Sequence, residues 1–448
     1  MKLPNHKTLR ALTYLTGMAL FIPFAPTTWA AYNSGSTGAD GVLNPTVNTE
    51  VVLPPSGVLN YSSVNIPNGV TVTFKKNASN TPVVMLVSGD ATIAGTIDIR
   101  GQNAASTSNI LFASNPGEGG PGGYLGGRGG RNSAGGAGLG PGGGGAGLAF
   151  SSSFGGGGSG GGYSVAGSSV ATPNLAGGIA YGTTILQPLL GGSGGGGGYS
   201  PNINISALGL GGGGGGGALL IAASGTFTLP STGKILATGG AGGNDPVSGG
   251  GGGGGGGSGG AIRLVAPTVS GSGTLDVLGG NRGGAGISGG NGASGRIRIE
   301  GETITLTPVI PVGTAQAALS TSTTPAPVFV AGTPALAITS VGGINAPANP
   351  AGSGDITVPG NVSNPVTVTF ASSGIPVGNV VKLMVVPAIG VATTVTSTAL
   401  TGSTSSATAS ASVTLPDGPS VLQASVMYSI TVAMGQALSQ FAQGERVE

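Results

Sequence analysis

Four carboxylates carry most of the chemistry open to this chain. Asp98 and Asp276 stand at equivalent places in two copies of one pattern, Gly95-Thr-Ile-Asp-Ile-Arg-Gly101 and Gly273-Thr-Leu-Asp-Val-Leu-Gly279. Glu300 and Glu302 alternate onto one strand face. Paired carboxyls of this kind could serve glycoside hydrolysis, one giving a proton while the other attacks or activates water. They could also hold calcium through oxygen ligands. No spacing here sets an acid and a base across a cleft, and Arg100, Arg263 and Arg298 are expected as their charged neighbours. The four are therefore expected as solvated outer-face charges. No catalytic, cofactor-binding or metal-ligating residue is assigned.

Other chemistries are excluded by what the chain lacks. Lys2, His6, Lys7 and Arg10 precede an apolar run from Ala11 to Pro26, and Thr28-Trp29-Ala30 offers small residues where a signal peptidase reads. Residues 1–30 are thus expected to be a secretory signal peptide cleaved after Ala30, leaving no membrane span. This segment holds the sole histidine and the sole tryptophan, and cysteine is absent throughout. Imidazole-based triads, thiol catalysis and His/Cys metal sites are then out of reach. The formal charge of +2 also belongs to the leader: beyond it, twelve basic residues face thirteen acidic ones. So weak a basic character gives no footprint for nucleic acid.

Glycine counterfeits several motifs. The phosphate-loop pattern fails at Gly233-Lys234, where Ile235 replaces the Ser/Thr and Thr228 the first glycine. Gly239-Gly-Ala-Gly-Gly-Asn-Asp245 is one imperfect copy of a calcium nonapeptide that needs repetition, so a turn is expected there. Thr71/Thr73, Thr226/Thr228 and Thr303/Thr305 are too scattered to read as an ice-binding ladder.

What positions these residues is an unusual frame. Of 448 residues, 96 are glycine and 30 proline, and only 6% are charged. The glycines are localised: 73 of them fall within residues 101–300. Between the tracts a β-patterned unit recurs. Gly260-Ala-Ile-Arg-Leu-Val-Ala266 with Gly273–Gly279 matches Gly217-Ala-Leu-Leu-Ile-Ala-Ala223 with Gly233–Gly239. An earlier copy spans Val84–Leu86 and Gly95–Gly101, and a truncated one spans Arg296–Leu306. This alignment puts Val84, Leu219, Ile262 and Ile297 in one column and Leu86, Ile221, Leu264 and Ile299 in another. Alternation sends both columns to one face and Met85, Leu220, Arg263 and Arg298 to the other. Short strands with one aliphatic face and glycine corners predict an all-β fold, a parallel β-helix or solenoid, over 31–307.

For the tracts Pro116–Gly162, Gly191–Gly198, Gly211–Gly217 and Gly249–Gly260, two readings stay open. They are flexible Gly/Ser loops, or polyglycine-II rods packed as closely as only glycine allows. Residues 308–334, rich in Pro, Thr and Ala, read as a linker. Six or seven short strands within 335–433 predict an immunoglobulin-like β-sandwich, followed by a tail over 434–448.

The stretch Leu59-Asn-Tyr-Ser-Ser-Val-Asn-Ile-Pro-Asn-Gly-Val-Thr-Val-Thr-Phe74, with Gly95–Gly101 and the Gly259–Leu264 block, resembles a group of exported bacterial glycine-rich β-helix proteins over residues 31–310. That resemblance implies a secreted or surface location and a β-helical body. In composition the tracts resemble phage adhesins and insect antifreeze proteins that bundle polyglycine rods. The expectation is an exported structural or adhesive protein, non-catalytic and without a cofactor. Its partners would be extracellular matrix, surface polysaccharide or further copies of itself. The alternative is carbohydrate binding or cleavage on the β-helix flank through Asp98, Asp276, Glu300 and Glu302.

Overall fold

In the computed structural model the described residues are 32–428, apart from 106–114, 172–173, 202–207, 245–249, 285, 314–316, 327, 329–333, 348–354, 388–391 and 418–419. The expected signal peptide 1–30 and tail 434–448 lie outside them.

β-branched runs bounded by Gly, Pro and Asn wind into coils of three short strands each. The first coil is β1 (Val42–Leu43), β2 (Thr49–Val52) and β3 (Val58–Tyr61). The second is β4 (Ser63–Ile66), β5 (Thr71–Lys75) and β6 (Val83–Val87), and the third β7 (Ala91–Ile93), β8 (Thr96–Asp98) and β9 (Ala218–Ala223). Then come β10 (Thr226–Leu229), β11 (Lys234–Leu236) and β12 (Ala261–Val265), and β13 (Thr268–Gly271), β14 (Thr274–Asp276) and β15 (Arg296–Glu300). A last coil contributes β16 (Thr303–Ile304) and β17 (Ala318–Ser322).

Like strands of successive coils pair in parallel. The first sheet runs β1-β4-β7-β10-β13-β16, the second β2-β5-β8-β11-β14, and the third β3-β6-β9-β12-β15-β17. This is a three-sided parallel β-solenoid, as the repeat predicted. Its aliphatic interior is continuous from coil to coil, with Ile66, Val72, Ile97, Phe227, Ile235, Leu264 and Val269 all at 0% exposure. Burial of this kind is worth about 1.5–3 kcal/mol for each such side chain.

The earliest copy needs a correction of one residue. Leu219 pairs with Val83, not Val84, and Ile221 pairs with Met85. Val83, Met85 and Val87 therefore point into the core, while Val84 and Leu86 join an outer cluster with Leu220, Ala222 and Val265. The other columns, Leu219–Ile262–Ile297 and Ile221–Leu264–Ile299, stand as expected. A slip of one residue exchanges the two faces. Here alternation could not fix the register because both faces of β6 are buried: Tyr32, Val58, Leu189 and Val328 pack over the outer one.

The expected linker 308–334 is also revised. Val309 bridges to Thr274, and β17 pairs with β15 along its whole length, so much of this segment completes the solenoid. Its Pro/Thr/Ala composition hid a strand because β17 presents only Leu319 as a large apolar side chain.

Beyond it, two antiparallel sheets face each other. One is β19-β18-β20-β24-β23, from β18 (Ala335–Val341), β19 (Ile344–Asn345), β20 (Val366–Ser373), β23 (Thr401–Ser403) and β24 (Ser406–Val413). The other is β22-β21-β25, from β21 (Val380–Pro387), β22 (Thr393–Ala399) and β25 (Ser420–Ser425). Val366, Val368, Phe370, Ala409 and Ala411 of the first sheet share a core with Val381, Leu383 and Val385 of the second. The order β18-β20-β24-β23 against β21-β25 follows the A-B-E-D and C-F arrangement of an immunoglobulin-like sandwich.

Candidate functional site

The long glycine-rich segments all leave the solenoid at the same corner, between the second and third strand of a coil: 99–217 after β8, 237–260 after β11 and 277–295 after β14. Their outbound ends stack on one another. Gly101 and Ala104 donate to the carbonyls of Thr238 and Ala241, and Gly239 and Gly242 donate to Leu278 and Asn281. The returning ends do the same: Leu210, Gly213 and Gly216 donate to Gly252, Gly255 and Ser258, then Gly253, Gly256 and Gly259 to Ile287, Gly290 and Ala293. Donor and acceptor both advance by three residues, the repeat of a polyproline-II-type helix.

Within the first insertion, further rods fill the space between. Gly192, Gly195 and Gly198 donate to Gly216, Gly213 and Leu210, so 191–198 lies antiparallel to 209–217. Gly194 and Gly197 donate to Leu139 and Gly136, and Gly196 and Tyr199 to Ser159 and Gly156. The rod 252–260 bonds in three directions, since Gly254, Gly257 and Gly260 turn to Gly243, Gly240 and Ala237, and Gly252, Gly255 and Ser258 to Tyr199, Gly196 and Ser193. Of the two readings of the tracts, packed rods is the one found. Gly239–Gly243, expected as a turn, belongs to such a rod, and Asp245 lies outside the described residues.

Glycine is required here by proximity. A methyl group on Gly255 would fall on the carbonyl oxygen of Ser159, and one on Gly215 on that of Gly192. Ordering so many glycines is entropically expensive. The offset is that these buried backbone donors find carbonyl partners, because an orphaned one would cost about 1–3 kcal/mol. Serine replaces glycine where its hydroxyl completes the lattice. Ser159 Oγ accepts from Gly145 N at 2.7 Å, Ser258 Oγ from Ser193 N at 2.8 Å, and Ser193 Oγ from Gly142 N at 3.0 Å.

An aromatic base anchors the sheaf to the solenoid. The Tyr163 and Tyr181 rings lie 4.6 Å apart, and the Arg296 guanidinium of β15 sits 5.7 Å from the Tyr163 ring centre. The Tyr163 hydroxyl donates to Leu190 O at 2.9 Å and that of Tyr181 to Gly191 O. Burial pushes the hydroxyls of Tyr124, Tyr163 and Tyr181 above the ordinary tyrosine value. Sequence reasoning missed this base. Its one signal is the tyrosine that ends the run Gly160-Gly161-Gly162.

The four candidate carboxylates do not converge. Asp98 and Asp276 occupy the same row of the second sheet, but Leu236 stands on the rung between them. Asp98 grips Arg100 with both oxygens, at 2.9 Å and 2.6 Å, while Asp276 accepts from the backbone of Leu278. An open cleft of about 230 Å³ beside Asp98 is lined by Arg100, Gln102, Asn103 and Thr238 as well. Glu302 is exposed at the next corner of the solenoid.

Glu300, expected as a solvated charge, is instead buried, and so is Arg263. Glu300 Oε1 accepts from Arg263 Nε at 3.0 Å and Arg298 Nε at 3.2 Å, and its Oε2 from Ala326 N at 2.8 Å. The segment after β17 covers these groups, and so turns an outer-face triad into an interior clamp. Among the described residues, no three His, Cys, Asp or Glu side chains gather closely enough to hold a metal ion. The threonines judged scattered prove to be partly aligned: Thr226, Thr268 and Thr303 pair on consecutive rungs of the first sheet.

No protein-family model matches the chain, and no curated protein or solved structure is significantly similar to it.

Proposed function

We propose that this chain is an exported structural or adhesive protein of the cell surface or extracellular space, and that it is not an enzyme. The observation that carries the reading is the sheaf of rods bonded through backbone groups. It uses much of the chain to build a stiff, nearly uncharged body, and among the described residues it offers no side-chain constellation for proton transfer or nucleophilic attack. The solenoid supplies an axial support for the sheaf, and the sandwich is a separate β module on the same chain. Mechanism in this reading is display: a rigid body holds its loops and faces against matrix, polysaccharide or other copies through shape and hydrogen bonds. Fractionation with antibody detection should find the protein at the surface or in the medium, and deleting its gene should reduce matrix attachment. Retention inside the cell, with attachment unchanged, would sink the reading.

A second reading has one observation in its favour, the cleft beside Asp98 with its amide, hydroxyl and guanidinium lining. It is wide enough for a sugar unit, and its lone carboxylate is held by Arg100, which suits binding better than cleavage. Glycan-array binding lost in Asp98→Ala and Arg100→Ala would support it. Binding unchanged in both variants would remove it.

A further inference from the structure

We infer that the solenoid stacks end to end with further copies of this chain, the last coil of one against the first coil of the next. This deepens the structural reading above by naming the partner, and it rests on what the two ends of the solenoid present.

Part of the aliphatic interior finishes uncovered among the described residues, although Leu53, Leu59 and Tyr61 of the first coil and Leu306 of the last are buried. In the third sheet Val83, Leu219, Ile262 and Ile297 are each at 0% exposure, whereas Leu319, next in the same row, is at 44%. The core residues that are only partly buried are the terminal ones: Leu43 and Val51 in the first coil, Ile304, Ile310 and Ala317 in the last. Exposed apolar side chains flank them on the outer face and corners of the terminal coils, Val42, Val47 and Val52 at the first and Val309 and Val312 at the last. Repeat proteins normally close such ends with polar capping units.

The sheet edges are open as well. Among the described residues, β1 and β2 have a strand partner on one side only, and so do β16 and β17. Edge strands are usually blunted by charge or proline, yet Glu50 is the one charged residue in these four strands, and none contains proline. The edge of β3 is already covered, since Asp40 N donates to Asn60 O at 2.8 Å and Asp40 Oδ2 accepts from Asn60 N at 2.6 Å. The junction would therefore be made by the first and second sheets, where β1 follows β16 and β2 follows the Val309 segment.

A second copy is the fitting occupant because the strand order repeats. A coil passes from first to second to third sheet in one direction, so only another solenoid of the same hand continues these parallel edges in register. The contact uses different surfaces on the two copies, and head-to-tail contacts of this type grow into open filaments unless they close.

Two pairs of exposed substitutions test this on the purified chain: Val42→Lys with Val52→Lys at the first coil, and Val309→Lys with Val312→Lys at the last. Circular dichroism verifies that each variant keeps the β fold. The wild-type sedimentation coefficient should rise with concentration, and electron micrographs should show filaments. Each double variant alone should sediment as a monomer, because its partner end is blocked in every copy. An equal mixture of the two should form dimers and stop there. A wild type that stays monomeric at all concentrations overturns the inference, as does assembly by either variant alone. Neither result touches surface location or matrix attachment, which are measured separately.

Discussion

Arg263 and Arg298 sit side by side on adjacent rungs of the third sheet, and one oxygen of Glu300 accepts a hydrogen bond from each. Two guanidinium groups placed so close would repel each other without the shared carboxylate. With it, the pair becomes a clamp that also takes the backbone of Ala326.

Glu300→Gln should therefore destabilise the chain by about 3–5 kcal/mol, because it leaves buried positive charge uncompensated. Chemical denaturation would show it as a lower midpoint with an unchanged slope. Glu302→Gln, at an exposed corner, should stay within about 0.5 kcal/mol of wild type.

Gly255→Ala should cost about 1–3 kcal/mol or more, since the added methyl has to displace a carbonyl in a lattice bonded on several sides. Gly360, with open space where its methyl would go, supplies the control. Thermal unfolding of the two variants should separate them clearly. Equal melting temperatures would mean that the rods are looser than their hydrogen bonds imply.

Alkaline pH should unfold the protein through its tyrosines. Burial pushes Tyr61 up from 10.0 to about 12, with Asp40 adding to the shift, and burial raises Tyr32, Tyr163 and Tyr181 as well. The folded state favours the neutral phenol, so this stability is complete below pH 10 and is lost as pH climbs from about 10 through 12. Denaturation midpoints measured across that window should fall, and Tyr61→Phe should fall less steeply. A midpoint independent of pH above 10 would contradict the burial of these hydroxyls.

The register of the second coil can be checked by truncation. Met85→Ala removes a side chain from the central column and should cost about 2–5 kcal/mol. Val84→Ala trims the outer cluster and should cost less. The reverse order would restore the alignment in which Val84 points inward.

The solenoid was legible because its repeats carry two aliphatic positions per strand, at Leu219 and Ile221, Ile262 and Leu264, and Ile297 and Ile299. Where the outer face is also apolar, as in β6, alternation loses its power to set register. The sandwich was legible from the spacing of its β-branched runs. The state of the glycine tracts was not, since a run such as Gly252–Gly257 has the same letters whether it is a loop or a rod. What decides it is the company of other tracts at the same corner, a long-range fact. The burial of Glu300 was hidden for a similar reason, because its cover arrives from residues beyond β17.

The three-residue repeat of the sheaf gives the tracts a phase. Within a rod where almost every position must be glycine, what the gene must preserve besides glycine itself is length. Losing one glycine from 211–212 would turn every later N–H by a third of a turn, and the donors that met Gly255 and Ser258 would face other neighbours. Losing three would shorten the rod by one turn and leave every direction intact. Such a chain would tolerate insertions and deletions in triplets of residues, and its tracts act less as a message than as a ruler.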